Sequence, residues 1–119
     1  MSDSIKELQA AAVAFRDARN WKQFHNPKDL AISISLEASE LLEIFQWSGS
    51  DTGVDEQKKT KVKEELADVM LYSLLMADAL DLDVSEIIRD KIAVNNRKYP
   101  VEKAYGKADK YTVLAGEKQ

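Results

Sequence analysis

The chain has 119 residues, of which 45% are hydrophobic and 32% charged, with four glycines and two prolines. This composition excludes a disordered chain and predicts one folded, helix-rich domain over residues 1–119. The net charge of −4 argues against non-specific nucleic-acid binding, no apolar run approaches the length of a membrane span, and the absence of cysteine fits a reducing cytoplasm.

Hydrophobic periodicity predicts an all-α fold, a four-helix bundle with short polar connections. The predicted helices cover about residues 3–19, 27–47, 54–80 and 84–99. Asn26 and Pro27 mark a helix start, because asparagine caps the first turn and proline suits the first helical position. Asp83 provides a similar start for the fourth helix, and Pro100 ends it. The tail from 101 to 119 has no periodicity and is expected to be extended.

The third predicted helix is apolar at nearly every angle around its axis between residues 69 and 80 (VMLYSLLMADAL). A surface helix has one apolar stripe, whereas a helix that is apolar all round is buried on all sides. The three other helices of so short a chain would leave part of the third helix uncovered. The sequence therefore favours a homo-oligomer with closed symmetry, with a central helix in a monomeric bundle as the alternative.

Two carboxylate pairs, Glu37-x-x-Glu40 and Glu65-x-x-Asp68, lie on the second and third predicted helices. Residues three apart on a helix project from one face, roughly 5–6 Å apart at Cβ. Two such helices packed together would present four carboxylates to one point. Oxygen ligands of this kind are those that Mg²⁺ prefers.

Helical phase distinguishes these carboxylates from their neighbours in sequence. Glu37 falls in the middle of the apolar face of its helix, and Glu65 lies between the directions of Val69 and Tyr72. An ionised carboxylate in an apolar stripe is costly unless it is paired, hydrogen-bonded or bound to a metal. A single E-x-x-E is common on solvated helix faces, so the alternative is ordinary surface charge. Two inward pairs together favour a metal site.

The inner face of the fourth predicted helix is apolar at its start and polar further along. Its polar part consists of Lys91, Asn95 and Lys98, which recur at helical spacing. The lysines could simply neutralise nearby carboxylates. They could also hold the phosphate oxygens of a metal-bound anion, with Asn95 supplying a directional hydrogen bond. A triphosphate ligand would explain the metal site and the lysines together.

Aromatic residues flank the second helix in sequence, with Trp21, Phe24 and His25 before it and Trp47 at its predicted end. A flat heterocycle could stack on such rings, an interaction worth about 1–3 kcal/mol per base. Plain packing in a core or an interface is an equally good interpretation of the two tryptophans.

The combination of E-x-x-E, E-x-x-D and K-x-x-x-N-x-x-K-Y-P, which ends at Pro100, resembles the MazG-type all-α nucleoside triphosphate pyrophosphohydrolases. The segments WKQFHNP (21–27), FQW (45–47) and KYT (110–112) are most similar to the dCTP pyrophosphatase branch of that family. The similarity extends over nearly the whole chain, from about Trp21 to Thr112.

This resemblance implies hydrolysis of a (deoxy)nucleoside triphosphate, dCTP-like substrates favoured, to the monophosphate and pyrophosphate, in cytoplasmic house-cleaning of the nucleotide pool. It implies Mg²⁺, with Mn²⁺ as a possible substitute, and a homodimer or a tetramer built as a dimer of dimers, with sites shared between subunits. The implied residues are the metal ligands and catalytic carboxylates Glu37, Glu40, Glu65 and Asp68; the phosphate and sugar contacts Tyr72, Lys91 and Asn95; and the base pocket Trp21, His25 and Trp47.

Two other classes compete with this interpretation. In a non-catalytic helical interaction module, the carboxylates would form only a charged rim. A carboxylate-bridged di-iron bundle expects Glu-x-x-His pairs on two helices. The sequence argues against the second class, because the only histidine, His25, lies outside both carboxylate pairs.

Overall fold

The computed structural model describes residues 4–108, and within this range every regular element is helical. The elements are α1 (Ile5–Ala18), a 3₁₀ turn (Lys22–Phe24), α2 (Pro27–Glu43), α3 (Glu56–Ala79), α4 (Val84–Lys98) and α5 (Val101–Ala104). The all-α prediction is confirmed. None of the helices in these residues combines the length and apolar character that crossing a membrane requires.

Short polar side chains start the four long helices at the positions that local capping chemistry predicts. The Asn26 side chain accepts a hydrogen bond from the Asp29 N–H at 2.9 Å, and the Asp83 carboxylate accepts one from the Glu86 N–H at 3.0 Å. Ser4 caps α1 and Asp55 caps α3 in the same way. Each cap satisfies a backbone donor that the first turn leaves without a partner.

The second helix ends earlier than predicted, at Glu43 rather than at Trp47. The chain keeps turning after Glu43, but with tighter bonds: the Phe45 N–H donates to the Leu42 carbonyl at 2.9 Å, and the Gln46 N–H to the Glu43 carbonyl at 3.2 Å. Such three-residue bonds are common where an α-helix unwinds. Trp47 therefore lies on a turn and not on the helix.

The expectation of an extended C-terminal tail is wrong for its first residues, because Val101–Ala104 forms a single helical turn. The Pro100 carbonyl accepts hydrogen bonds from the N–H groups of Lys103 and Ala104, at 3.0 and 2.9 Å. Proline ends α4 and at the same time provides an acceptor for the next turn. The remainder of the tail, 109–119, lies outside the described residues.

The chain divides into two compact units, Met1–Leu82 and Asp83–Gln119. In the first unit α3 packs against α1 and α2. A small core joins these three helices, with Ala12, Leu30 and Leu75 buried and Val13, Tyr72 and Met76 packed against them. That the whole chain forms one domain stays a prediction.

A buried arginine links α1 to α3. Arg16 is only 3% exposed; its Nη1 donates to Asp78 on α3 at 2.8 Å, and its Nε donates to Asp17 at 2.9 Å. A buried guanidinium requires such partners, since an unpaired charge away from water is strongly destabilising. The pair of carboxylates raises the Arg16 pKa above its ordinary value, mainly through the hydrogen bond that Arg16 donates to Asp17.

Much of the apolar surface of α3 remains uncovered in the single chain. Leu75 and Ala77 are buried, but Leu66, Met70 and Leu71 are each between 44% and 59% exposed. The helix therefore buries one side against α1 and α2 and leaves other apolar positions open, as its all-round apolar sequence predicts.

Candidate functional site

The predicted carboxylate pairs lie on the two helices that pack most extensively against each other, α2 and α3. One carboxylate oxygen from each of Glu37, Glu65 and Asp68 lies within 4.8 Å of the other two. All three residues are partly buried. Because Glu65 and Asp68 are one turn apart on α3, a single helix presents two ligands, and α2 adds the third.

The fourth predicted ligand, Glu40, lies at the exposed edge of the same cluster. Its carboxyl group lies close enough to Glu37 and Glu65 to raise the pKa of both. A cluster of closely spaced carboxylates disfavours full ionisation of its members.

Two oxygens in this cluster are buried without a hydrogen-bond partner. They are Oε2 of Glu37 and Oε2 of Glu65, one on each helix. Buried acceptors of this kind are costly unless a donor or a cation satisfies them. A hard divalent cation would do so, since Mg²⁺ binds carboxylate oxygens and retains water or phosphate oxygens at its other positions. The residues present therefore fit a magnesium site.

The environment of these carboxylates also alters their protonation. The pKa of Glu37 is raised to about 7, first by burial, then by the hydrogen bond to Glu40 and by repulsion from Glu40, Asp68 and Glu65. The pKa of Glu65 is raised as well, chiefly by the hydrogen bond to Glu40 and then by burial. Both shifts have the direction expected where negative charge is concentrated without a neutralising partner.

The neighbouring glutamates of α2 and α3 lie outside the acidic cluster. Glu43 on α2 and Glu64 on α3 are exposed, and neither belongs to the group of carboxylates that could hold a metal. They provide matched comparisons, because each lies on the same helix as a candidate ligand and differs from it only in direction.

Tyr72 connects the acidic cluster with the core of the first unit. It lies one turn after Asp68 on α3, packs against the buried core, and meets the His25 ring edge-on with 6.4 Å between centroids. The Nδ1 atom of His25 is buried without a hydrogen-bond partner. Burial lowers the His25 pKa, with a further contribution from the charge of Arg16, so the imidazole is neutral near pH 7.

The two tryptophans have different surroundings. Trp21 makes an edge-to-face contact with Phe15, with ring centroids 5.7 Å apart, and is 43% exposed. Trp47, on the turn after α2, is 88% exposed. Among the described residues of one chain, the Trp21 ring thus contacts Phe15 and the His25 ring contacts Tyr72. The predicted base pocket stays a prediction.

The remaining predicted residues lie on α4, in the second unit. Lys91 and Asn95 are exposed, and Lys98 is half-buried at the last residue of the helix. Their spacing places them one turn apart along one side of α4, as the sequence predicts. Their contact with phosphate stays a prediction.

Sequence reasoning missed two features of the first unit. One is Arg16, because arginine is rarely buried and nothing in its local sequence marks this position. The other is a cluster at the end of α1, where the Arg19 guanidinium lies 3.8 Å from the centre of the Phe15 ring and 5.9 Å from that of Trp21. The four-residue spacing of Phe15 and Arg19 would have indicated this contact.

Fold and site together define an all-helical protein with a candidate divalent-metal centre made by carboxylates of two packed helices. Residues 32–114 match the MazG-like family, and the chain belongs to this family. It is similar to mouse (Mus musculus) dCTP pyrophosphatase 1, at 33% identity over 116 residues, which is 93% of this chain and 68% of the mouse protein. Human (Homo sapiens) dCTP pyrophosphatase 1 is 30% identical over 115 residues, with the same shares covered.

A solved structure shows a similar relationship. The crystal structure of a pyrophosphatase from Archaeoglobus fulgidus superposes with a TM-score of 0.73 at 40% sequence identity. The match covers 84% of this chain and 95% of the archaeal chain. The likeness therefore extends over the fold and is not confined to the carboxylate motifs.

Proposed function

We propose that this protein hydrolyses (deoxy)nucleoside triphosphates, with dCTP-like substrates favoured, to the monophosphate and pyrophosphate in a Mg²⁺-dependent reaction. Membership of the MazG-like family and similarity to dCTP pyrophosphatases make it a nucleoside triphosphate pyrophosphatase. The preference for dCTP rests on the names of the relatives and on the sequence segments shared with that branch. House-cleaning of the nucleotide pool in the cytoplasm is part of the same proposal.

One observation carries the metal dependence: two helices each bury a carboxylate oxygen that has no partner, at a point where three carboxylates converge. Glu37, Glu65 and Asp68 would hold the ion, and Glu40 would complete the set. Once bound, Mg²⁺ would polarise the triphosphate and lower the pKa of a coordinated water, as divalent metals do in phosphoryl chemistry. Mn²⁺ would serve as a substitute, because it accepts the same oxygen ligands.

The reaction we propose is attack of water at the α-phosphorus, which breaks the bond from that phosphorus to the oxygen bridging the α and β phosphates and releases pyrophosphate. A glutamate of the cluster accepts the proton of the water. We assign this role to Glu40, because it is exposed to solvent and lies next to the partly buried Glu37 and Glu65.

The proposed substrate contacts come from the sequence motifs. Lys91, Asn95 and Lys98 would contact the phosphates or the sugar, together with Tyr72 next to the acidic cluster. Trp21, His25 and Trp47 would contact the base. A neutral His25 supports this assignment, since a neutral imidazole can both donate a hydrogen bond to a base and accept one from it.

We further propose that the protein acts as a four-helix bundle assembled into a homo-oligomer, either a dimer or a tetramer built as a dimer of dimers. The exposed apolar residues of α3, such as Met70 and Leu71, support burial against a second copy. Trp47 gives independent support, because a base-stacking residue that is 88% exposed in one chain needs further groups to enclose a base. Light scattering at micromolar concentration tests this, and a monomeric mass would contradict it.

The enzymatic part of the proposal is tested by pyrophosphate release from a panel of normal and modified nucleoside triphosphates, with and without Mg²⁺. The variant Glu40→Gln should release pyrophosphate from dCTP at least about tenfold more slowly than wild type. Its matched control is Glu43→Gln, one turn further along α2 and exposed. Release at the wild-type rate by Glu40→Gln would remove Glu40 from the site, and no release from any nucleotide would refute the substrate class.

A further inference from the structure

The position of Trp21 is fixed by the way α1 ends. Asn20 follows the helix with φ of 55°, in the left-handed region. The Trp21 N–H then donates to the Arg16 carbonyl at 3.1 Å, and the Asn20 N–H to the Asp17 carbonyl at 3.0 Å. These two bonds make up a Schellman motif, in which the residue after the left-handed position turns back toward the helix. Trp21 occupies that residue.

The Trp21 ring is held from one side by residues at the C-terminal end of α1, Phe15 in its last turn and Arg19 at its C-cap. It meets Phe15 edge-on, the arrangement that aromatic pairs favour. Arg19 lies over the same pair: its guanidinium stacks on the Phe15 ring at 3.8 Å, and its Nη1 donates to the Phe15 carbonyl at 2.9 Å. The guanidinium carbon is also 5.9 Å from the centre of the Trp21 ring, within the range of a cation–π contact.

These contacts leave much of the Trp21 side chain open, since it remains 43% exposed. An aromatic ring that is fixed in the protein and still exposed can stack on a nucleotide base with little further loss of conformational freedom. A ring free to rotate would lose that freedom on binding and would bind the base more weakly.

We infer that Arg19, acting with Phe15, is a positioning residue that holds the Trp21 ring ready for the base and so controls nucleotide affinity rather than the chemical step. This inference rests on the proposed function, in which Trp21 contacts the base. A purely structural role for Arg19 would be to cap the C-terminal end of α1, where a cation and a donor to a free carbonyl are both stabilising. A substitution of Arg19 would change only the stability of α1 if the role is structural. It would change the mobility of the Trp21 ring and the affinity for nucleotide if Arg19 positions that ring.

The first experiment observes Trp21 directly, without nucleotide. In a Trp47→Phe background Trp21 is the only tryptophan, so its fluorescence anisotropy and its quenching by acrylamide report how firmly the ring is held. Arg19→Gln should lower the anisotropy and increase the quenching, whereas Arg19→Lys, which keeps the cation, should fall between Arg19→Gln and the parent. Lys6→Gln, which removes one positive charge from α1 far from Trp21 in sequence, is the matched control. Unchanged Trp21 fluorescence in Arg19→Gln would overturn the inference.

The second experiment separates binding from turnover with dCTP and Mg²⁺. Arg19→Gln should raise KM about two- to fivefold, while kcat changes by less than about twofold, and Arg19→Lys should recover part of the loss. Trp21→Leu should raise KM further than Arg19→Gln does. A loss in kcat alone, or an equal loss in Lys6→Gln, would overturn the positioning role. An unchanged KM in Trp21→Leu would show that the proposed base contact itself is wrong, and the inference would fail with it.

Discussion

Glu37 on α2 and Glu65 on α3 each bury one carboxylate oxygen, and neither oxygen has a hydrogen-bond partner. Asp68 brings a third carboxylate oxygen within 4.8 Å of theirs. This concentration of negative charge destabilises the metal-free fold, because burial and mutual repulsion both disfavour the ionised state. A cation bound among these carboxylates would relieve this repulsion, so the unfavourable charge of the metal-free site strengthens metal binding.

The metal-free protein should become less stable as pH rises through about 7. The folded-state pKa of Glu37, about 7, lies above its ordinary value of 4.5, so the folded state holds a proton that the unfolded state releases. The stabilising contribution of that proton is complete below about pH 4.5 and is lost as pH rises through the folded pKa. Glu65 shifts in the same direction. Denaturant unfolding in a chelator at about pH 5 and about pH 8 measures the effect.

The variant Glu37→Gln isolates this contribution. His25 has a lowered pKa and therefore destabilises the fold as pH falls, which is the opposite sign in an overlapping range. The difference in the free energy of unfolding between Glu37→Gln and wild type removes the His25 effect. That difference should favour the variant increasingly from about pH 5 to about pH 8. A difference that does not vary with pH would show that Glu37 does not titrate in this range. Glu43→Gln is the control, and its difference from wild type should stay flat.

The buried Arg16 should be the most sensitive polar position of the first unit. Asp78→Ala removes the partner that bonds Nη1 at 2.8 Å and leaves the guanidinium with Asp17 alone. We expect a loss of about 1–3 kcal/mol in the free energy of unfolding, since a buried donor is left unsatisfied. Glu64→Ala, an exposed carboxylate on the same helix, should cost less than about 0.5 kcal/mol. Equal effects of the two substitutions would refute this account of Arg16.

The residue that follows the C-cap of α3 offers a test of backbone strain. Asp81 has φ of 53°, and the Leu82 N–H donates to the Ala77 carbonyl at 2.8 Å in a second Schellman motif. Glycine adopts this conformation without steric cost, so Asp81→Gly should raise the thermal midpoint, by an amount equivalent to about 0.5–1 kcal/mol. Asp81→Ala also removes the carboxylate but keeps the strain, and it should lower the midpoint or leave it unchanged. A lower thermal midpoint for Asp81→Gly than for Asp81→Ala would contradict the assignment of backbone strain to Asp81.

The parts of the fold that sequence predicts well are those with local causes. Asn26 and Asp83 start their helices through side-chain caps, and the inward direction of Glu37 and Glu65 follows from helical phase alone. The distance between α2 and α3 is not local, so sequence could suggest the convergence of their carboxylates but not measure it.

Two features escaped prediction for physical reasons. The end of α2 at Glu43 depends on competition between two hydrogen-bond patterns that differ little in free energy, and no proline or glycine marks the change. The burial of Arg16 depends on Asp78, which is 62 residues away in sequence. Pairing over such a separation leaves no periodic signal.

The most direct test of the central claim is Mg²⁺-dependent pyrophosphate release from dCTP by Glu65→Gln compared with Glu64→Gln. The two variants make the same chemical change at adjacent residues of α3, but only Glu65 belongs to the converging carboxylates. Glu65→Gln should fold normally and lose roughly 100-fold or more in kcat/KM, because a metal ligand is removed, whereas Glu64→Gln should stay within about twofold of wild type. Near-wild-type release by Glu65→Gln, or equal losses in both variants, would contradict a metal centre at this cluster.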